Sequence, residues 1–313
     1  MVGSGTTAVE ALLAGRRARV SDVSPLSVLL SRVKTTHVDA AAALERVRAW
    51  RGESTEVTLV GLRNPAHWFL PETVASLARI RSAIEALEEG PARALLMVAF
   101  LAIVRRASRA TTQQGRLFLD VATALPDAWP AFEAKANQAI AAARALPAEW
   151  HADVRLAPAS SLPEGESAPL CILHPPYFNN YKYSSVSSLE LAWMGIDPKD
   201  VRRGEVRESF KVGGLDNARR YVSDMRAVLA SCAERVHRGG RVALMVGDAT
   251  FRGEYLPLTR ELVDGARAFG LEPELVAVRV PRFTEASWVA SQRRTKSRIG
   301  VSLHDFVVVM RRT

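Results

Sequence analysis

The sequence predicts an α/β protein with a mostly parallel sheet and helices on both of its faces. Three observations predict it. A glycine-rich turn, Gly3-Ser4-Gly5-Thr6-Thr7, opens directly into a helical pattern. Short apolar strands alternate with amphipathic helices before residue 39 and again after residue 150. The stretch 39–150 between them is rich in Ala, Leu and Arg and reads as a helical insertion. A chain of 313 residues is long enough for one large α/β domain that carries such an insertion.

Taken in order, Ala8 to Ala14 is helical and closed by Gly15, and Arg19-Val20-Ser21 makes a short strand ending at Asp22. Pro25 opens the next helix, with Leu26, Leu29, Leu30 and Val33 on its apolar stripe. This is the second half of a βαβ unit; the strand that should feed the glycine turn is absent. In the insertion, Val74, Leu77, Ile80, Ile84 and Leu87 fall three or four apart in a helix ending at Gly90. Pro91 starts a second helix, whose apolar run from Ala94 to Val104 is too short to span a bilayer. A third, from Pro130, aligns Phe132, Ala136, Ile140, Ala143 and Leu146, while the basic, polar stretch 105–116 predicts a loop. After Trp150 the strand–helix alternation returns. A strand, Leu170 to Leu173, stops at His174-Pro175-Pro176-Tyr177. Asp216 caps a helix with Tyr221, Met225, Val228, Leu229, Cys232 and Val236 on one face, stopped by Gly239-Gly240. The strand Val242–Val246 leads into Gly247-Asp248, Pro257 opens a helix ending near Gly270, and strands Leu275–Val280 and Phe306–Met310 follow.

Composition narrows the function classes. Hydrophobic residues at 48%, charged residues at 24% and a mean hydropathy of +0.00 exclude a disordered, collagen-like or disulfide-stapled chain. Two cysteines, Cys171 and Cys232, make neither a metal framework nor a disulfide scaffold, and the histidines show no metal-ligand spacing. No signal peptide or membrane span is visible, which predicts a cytoplasmic protein. Net charge is +9, and all but six of the 42 cations are arginine. That balance suits phosphate contact, although a GC-rich coding sequence explains it equally.

Two motifs carry chemistry. A glycine turn at a helix start, with an acid at the end of the next strand, is a nucleotide-binding arrangement: the glycines let the backbone approach, and Asp22 can hold a ribose diol. No Lys-Ser/Thr follows the second glycine, so the turn is not a phosphate loop; a plain tight turn is the bland alternative. The second motif is X-Pro-Pro-Tyr at a strand end. Two residues with no N–H donor leave carbonyls without a ladder partner, facing the crevice beyond the carboxyl ends of the strands. A ring beside such acceptors suits a planar amine, which stacks on the ring and donates to the carbonyls. Alone, the motif is more often a turn; together the two point to a binding cleft.

In these residues the sequence resembles the bacterial site-specific DNA amino-methyltransferases. The stretch GSGTTAVEALLAGRRARVSDVSPLSVLLSRVKTT is similar to their S-adenosylmethionine-binding motif, and LHPPYFNNYKYSSVSSLELAWMG to their catalytic motif. The resemblance implies a Rossmann-like fold whose last strand is antiparallel. It divides the chain into a cofactor-binding half, 1–38, a helical insertion, 39–150, and a catalytic half, 151–313. It implies S-adenosylmethionine held by Gly3, Ser4, Gly5, Thr6, Thr7, Asp22 and Ser160, with no metal. It places His174, Pro175, Pro176 and Tyr177 at the reacting amine, and Asn179, Asn180, Tyr181, Lys182, Asp248, Arg293, Arg294 and Lys296 on the substrate. DNA is the implied partner, with a restriction endonuclease as a further one. The implied reaction transfers a methyl group to N4 of cytosine or N6 of adenine in a flipped base, since the amine is inaccessible in a duplex.

Two departures from the family pattern matter most. The family's turn follows a strand ending in Asp-Pro-Phe, and Met1 stands where that Phe would be, so either the natural start lies upstream or the chain is a shortened copy. His174 replaces Asp, Asn or Ser at the first catalytic position; a neutral imidazole accepts a hydrogen bond from the amine, whereas an imidazolium does not. Lys182, Arg202, Arg203 and Arg207, with the later run Arg293, Arg294, Lys296 and Arg298, are candidate phosphate contacts or plain solvated loops. Ser108, in a basic context, is a candidate DNA contact, and Trp68 and Phe69 read as core of the insertion. The rival readings are the same chemistry on RNA or a protein glutamine amide, and a non-catalytic DNA-binding remnant.

Overall fold

The computed structural model describes residues 1–113, 116–178, 183–206, 215–251, 254–279 and 305–313. Its contacts divide the chain into two compact units. One holds Val2–Leu156 and Tyr183–Arg203; the other holds Met1, Ala157–Lys182 and Gly204–Thr313.

The first unit begins with α1 (Thr6–Leu13), β1 (Arg19–Asp22) and α2 (Pro25–Lys34). Then come α3 (Ala41–Ala49), α4 (Pro65–Trp68), α5 (Pro71–Glu85), α6 (Pro91–Val104), the strands β2 (Ala110–Gln113) and β3 (Arg116–Leu119), α7 (Ala128–Arg144) and β4 (Asp153–Leu156). Its core gathers Leu77, Ile80, Ile84, Leu95, Phe100 and Phe132, the apolar stripes of α5, α6 and α7. The stretch 105–116, expected as a loop, instead contributes to an antiparallel hairpin in which Thr111 faces Phe118. The strands are mostly exposed and so lack the buried–exposed alternation that marks a strand in sequence.

The segment after the catalytic motif also belongs to this unit. It forms α8 (Tyr183–Val186), α9 (Ser188–Trp193) and α10 (Pro198–Gly204). Trp193, fully buried, meets Phe69 and Phe100 edge-on at 5.9 and 5.7 Å between ring centres. Arg105 donates to Glu190 and to the Val186 carbonyl, so the buried carboxylate is paired. Residues 183–203, read from sequence as part of the catalytic half, therefore pack into the helical core. Ser108, read as a candidate DNA contact, is 4% exposed; it donates to the Arg105 carbonyl and accepts from the Ala110 amide, a turn-closing role. Trp68 and Phe69 lie in the core as expected.

The second unit is built on β5 (Ala168–Leu173), α11 (Leu215–Arg235), β6 (Val236–Gly247), the small hairpin β7 (Ala249–Phe251) and β8 (Glu254–Leu256), α12 (Leu258–Ala266), β9 (Leu271–Arg279) and β10 (Asp305–Arg312). The sheet order is β5-β6-β10-β9. β5 and β6 are parallel, and β10 is antiparallel to both β6 and β9. Three strands thus share a direction and the last, slotted between two of them, runs against it. In the first unit β1 pairs with β4 in parallel, Asp22 opposite Leu156. The buried face of α11, with Tyr221, Met225, Val228, Leu229 and Cys232, covers the sheet of the second unit. Two boundaries shift from expectation: α11 begins one residue before Asp216, and β6 begins at Val236 and runs through Gly239-Gly240.

Candidate active site

The glycine turn lies in the first unit. Gly3 and Gly5 have φ of +55° and +87°, the left-handed region that only glycine enters without strain. A Cβ on Gly3 would meet open space, whereas one on Gly5 would lie 3.0 Å from Cα of Ser31 on α2. Gly3 therefore leaves the turn approachable, and Gly5 lets α1 pack on α2. The turn and Asp22 are tied together: the Gly3 amide donates to Asp22 Oδ2 at 3.0 Å, and the Ser24 amide to Oδ1 at 3.0 Å. A carboxylate accepts about four hydrogen bonds, so capacity remains for a diol. Thr6 and Thr7 form the first turn of α1, whose amides receive no side-chain cap. Ser4 exchanges a hydroxyl hydrogen bond with Thr6, and Lys34 donates to its carbonyl at 2.7 Å. The buried hydroxyls of Ser21 and Ser31 have no partner among the described residues. An approachable left-handed glycine turn, free helix-start amides and a strand-end carboxylate fit the ribose end of a nucleoside cofactor.

The Pro-Pro-Tyr motif lies in the second unit, as does Ser160, which is exposed in the turn after β4. Leu173 of β5 is opposite Leu244 of β6, so the carboxyl ends of the two strands emerge at one sheet edge, His174 after one and Gly247-Asp248 after the other. Asp305, the first residue of β10, is opposite both Gly247 and Arg279 at that edge. The His174 and Tyr177 rings meet edge-on, 5.5 Å between centres. Partial enclosure holds the imidazole below its ordinary value of 6.5; the Asp305 carboxylate pulls it back without prevailing. The neutral form, which can accept a hydrogen bond, is thereby favoured.

The Pro176 carbonyl has a protein partner. Tyr221 on α11, fully buried, donates its hydroxyl to the Pro176 carbonyl at 3.1 Å, and its ring lies 5.3 Å from that of Phe178. The Pro176 carbonyl thus helps to hold the motif in place rather than facing the crevice. Asp248 is also occupied: the Thr259 amide donates to Oδ1 at 2.7 Å and the Tyr255 hydroxyl to Oδ2. Burial, and then the bond to Asp248, push the Tyr255 hydroxyl up to about 12. Asp248 thereby ties the end of β6 to β8 and α12.

Asn179, Asn180, Tyr181, Lys182, Arg207, Arg293, Arg294, Lys296 and Arg298 lie outside the described residues. Arg203 pairs with Asp200, and Arg202 donates to Ser185 at 3.3 Å. Neither Asp305, whose charge opposes the effect of enclosure on His174, nor Tyr221, which holds the Pro176 carbonyl, is recognisable as a site residue in the sequence. Tyr221 was visible only as one apolar position of an amphipathic helix, and nothing in Asp305 itself marks it. Among the described residues no group of three or more His, Cys, Asp or Glu could hold a metal ion.

No protein-family model matches the chain. Over 129 residues it is 26% identical to the Type II methyltransferase M.MvaI of Kocuria varians. Over that stretch the chain resembles a bacterial methyltransferase. The matched stretch is 37% of this chain and spans 28% of the relative's length. Two structures of TTHA0409 from Thermus thermophilus, a candidate DNA modification methylase, are also similar to the chain. The selenomethionine form is 15% identical with a TM-score of 0.24, covering 31% of this chain and 39% of TTHA0409. The form complexed with S-adenosyl-L-methionine is 14% identical with a TM-score of 0.26, covering 33% and 41%. Neither likeness is strong enough to bear on the fold.

Proposed function

We propose that this chain transfers a methyl group from S-adenosylmethionine to the exocyclic amine of a DNA base, N4 of cytosine or N6 of adenine, within a Rossmann-like fold. The observation that carries this reading is the His174 ring, set edge-on to Tyr177 at the carboxyl end of β5 immediately before Pro175-Pro176, where partial enclosure favours its neutral form. When bound, the cofactor supplies an electrophilic methyl group on a sulfonium. In this reading the turn Gly3-Ser4-Gly5-Thr6-Thr7 and Asp22 hold its adenosine, with Ser160 near the adenine ring. The His174 ring and the Pro175 carbonyl accept the two N–H bonds of the amine. The amine's lone pair is otherwise delocalised into the base; two acceptors draw it towards tetrahedral geometry and stabilise the positive charge that develops on nitrogen. Tyr177 stacks on the base, which must leave the duplex to reach it. Asn179, Asn180, Tyr181, Lys182, Asp248, Arg293, Arg294 and Lys296 are the proposed substrate contacts, with residues 1–38 as the cofactor half, 39–150 as the insertion and 151–313 as the catalytic half.

The test is calorimetric titration of S-adenosylmethionine into the chain, followed by methyl incorporation into duplex DNA with His174→Ala as the comparison. Micromolar binding, and incorporation that falls at least about a hundredfold in the variant, are expected for a lost acid–base or hydrogen-bonding group. Cofactor binding without incorporation into DNA, but with incorporation into RNA or a glutamine-containing peptide, would move the reaction to that substrate. Absence of cofactor binding would leave a DNA-binding remnant.

A further inference from the structure

A second candidate site opens at the surface of the helical core of the first unit, on residues that the methyl-transfer reading does not use. Between α3, α5 and α7 is a cavity of about 530 Å³. Its lining includes Trp50, Trp129, Arg48, Arg51, Arg79 and Ser76. That volume is within the range of about 300–1,000 Å³ in which ligand sites fall. Both tryptophans are half-buried, so each offers part of an indole to the space. Trp50 is seated against backbone: a Cβ on Gly52 would meet three atoms of its ring at 2.6, 2.8 and 3.0 Å. Trp129 is braced from the other side by Phe132, 5.8 Å between ring centres.

The charges around these rings are not balanced. Arg48 is shared between Glu45 and Glu133. Arg51 is exposed and donates to the carbonyls of Arg48 and Trp50, which do not neutralise it. Arg79 is exposed and makes no ion pair among the described residues. Two guanidinium groups with uncompensated charge thus flank two braced indoles. An aliphatic ligand would leave the cations without partners, and an acidic peptide would leave the flat rings unused. A nucleotide uses both, because its base stacks on indole and its phosphate takes a guanidinium bidentately.

We infer that this cavity binds an unpaired segment of a nucleic-acid strand, bases on Trp50 and Trp129 and phosphates on Arg51 and Arg79. The inference does not rest on methyl transfer, and the two can fail separately. The experiment follows the fluorescence anisotropy of an end-labelled single-stranded oligodeoxythymidylate as the full-length chain is added over a range of salt. Trp50→Leu should weaken binding by about tenfold or more. Arg79→Glu should weaken it similarly and lower the slope of log affinity against log salt by about one or more. Both variants should bind S-adenosylmethionine as the parent chain does. Arg79 is exposed and has no ion-pair partner among the described residues, so its variant keeps the test decisive if the Trp50 variant does not fold. Strand binding that is unchanged in Arg79→Glu overturns the inference. So does competition by thymidine monophosphate at the same concentration as an unlabelled strand, since that would make the cavity a mononucleotide site.

Discussion

At His174 the partial enclosure that lowers the imidazole's proton affinity opposes the Asp305 carboxylate that raises it, and enclosure prevails. The neutral ring is the form that accepts a hydrogen bond, so activity should rise as pH increases through the His174 pKa, placing the acid limb of the rate profile below 6.5. Asp305→Asn removes the opposing charge and should move that limb to still lower pH, with little change on the alkaline side. A pH profile of methyl incorporation for both proteins checks this; a limb that moves upward, or stays in place, would refute the role of Asp305. Sequence made His174 and Tyr177 legible because they are consecutive with two prolines that have their own chemistry. It could not reveal that Tyr221 occupies the Pro176 carbonyl, because that contact joins an apolar helix position to a distant loop.

Among the elements, α1 and α9 rest on single residues whose replacement has a defined cost. Gly5 combines a left-handed backbone with a close approach to Ser31. Gly5→Ala should therefore destabilise the chain by about 1–3 kcal/mol in denaturant titration, as both the conformation and the contact penalise a methyl group. A loss below about 0.5 kcal/mol would mean that the turn relaxes freely. Trp193 separates two effects, since it fills the space between Phe69 and Phe100 while its buried indole N–H has no partner among the described residues. Trp193→Ala should cost about 3–5 kcal/mol through the cavity. Trp193→Phe should cost much less, because it keeps an aromatic ring and removes an unsatisfied donor. Thermal melts of the two variants, compared side by side, would reveal the difference. The helices α5, α6 and α7 were legible from their apolar spacing and proline starts. The hairpin of β2 and β3 was not, because an exposed strand pair shows no alternation and the surrounding charges resemble a loop.

For the molecule as a whole, net charge is the property that sequence alone supplies. If +9, mostly as arginine, serves DNA binding, duplex affinity should fall linearly with the logarithm of salt. About six phosphate contacts would mean a loss of roughly a thousandfold between about 50 and 200 mM salt. A slope near zero in a filter-binding series would detach the charge from nucleic acid. The division into units was only partly legible. Strand–helix alternation marks where the sheets lie, but the return of residues 183–203 to the helical core depends on where Leu189 and Trp193 find apolar neighbours. The sheet order β5-β6-β10-β9 also sets a timetable for biosynthesis. As the chain leaves the ribosome, β5 and β6 can pair early, but β9 must wait beside a gap, because its only neighbour in the sheet among the described residues, β10, is made later. β1 likewise waits for β4 while the helices between them are translated. The packed helices α5, α6 and α7 can associate early, but their core is completed only when Trp193 is made. The backbone of β9 then depends on the final strand for its pairing, so a nascent chain stalled before residue 305 would present to chaperones an unpaired strand edge flanked by Leu275, Val276 and Val278, which stay exposed even in the folded chain.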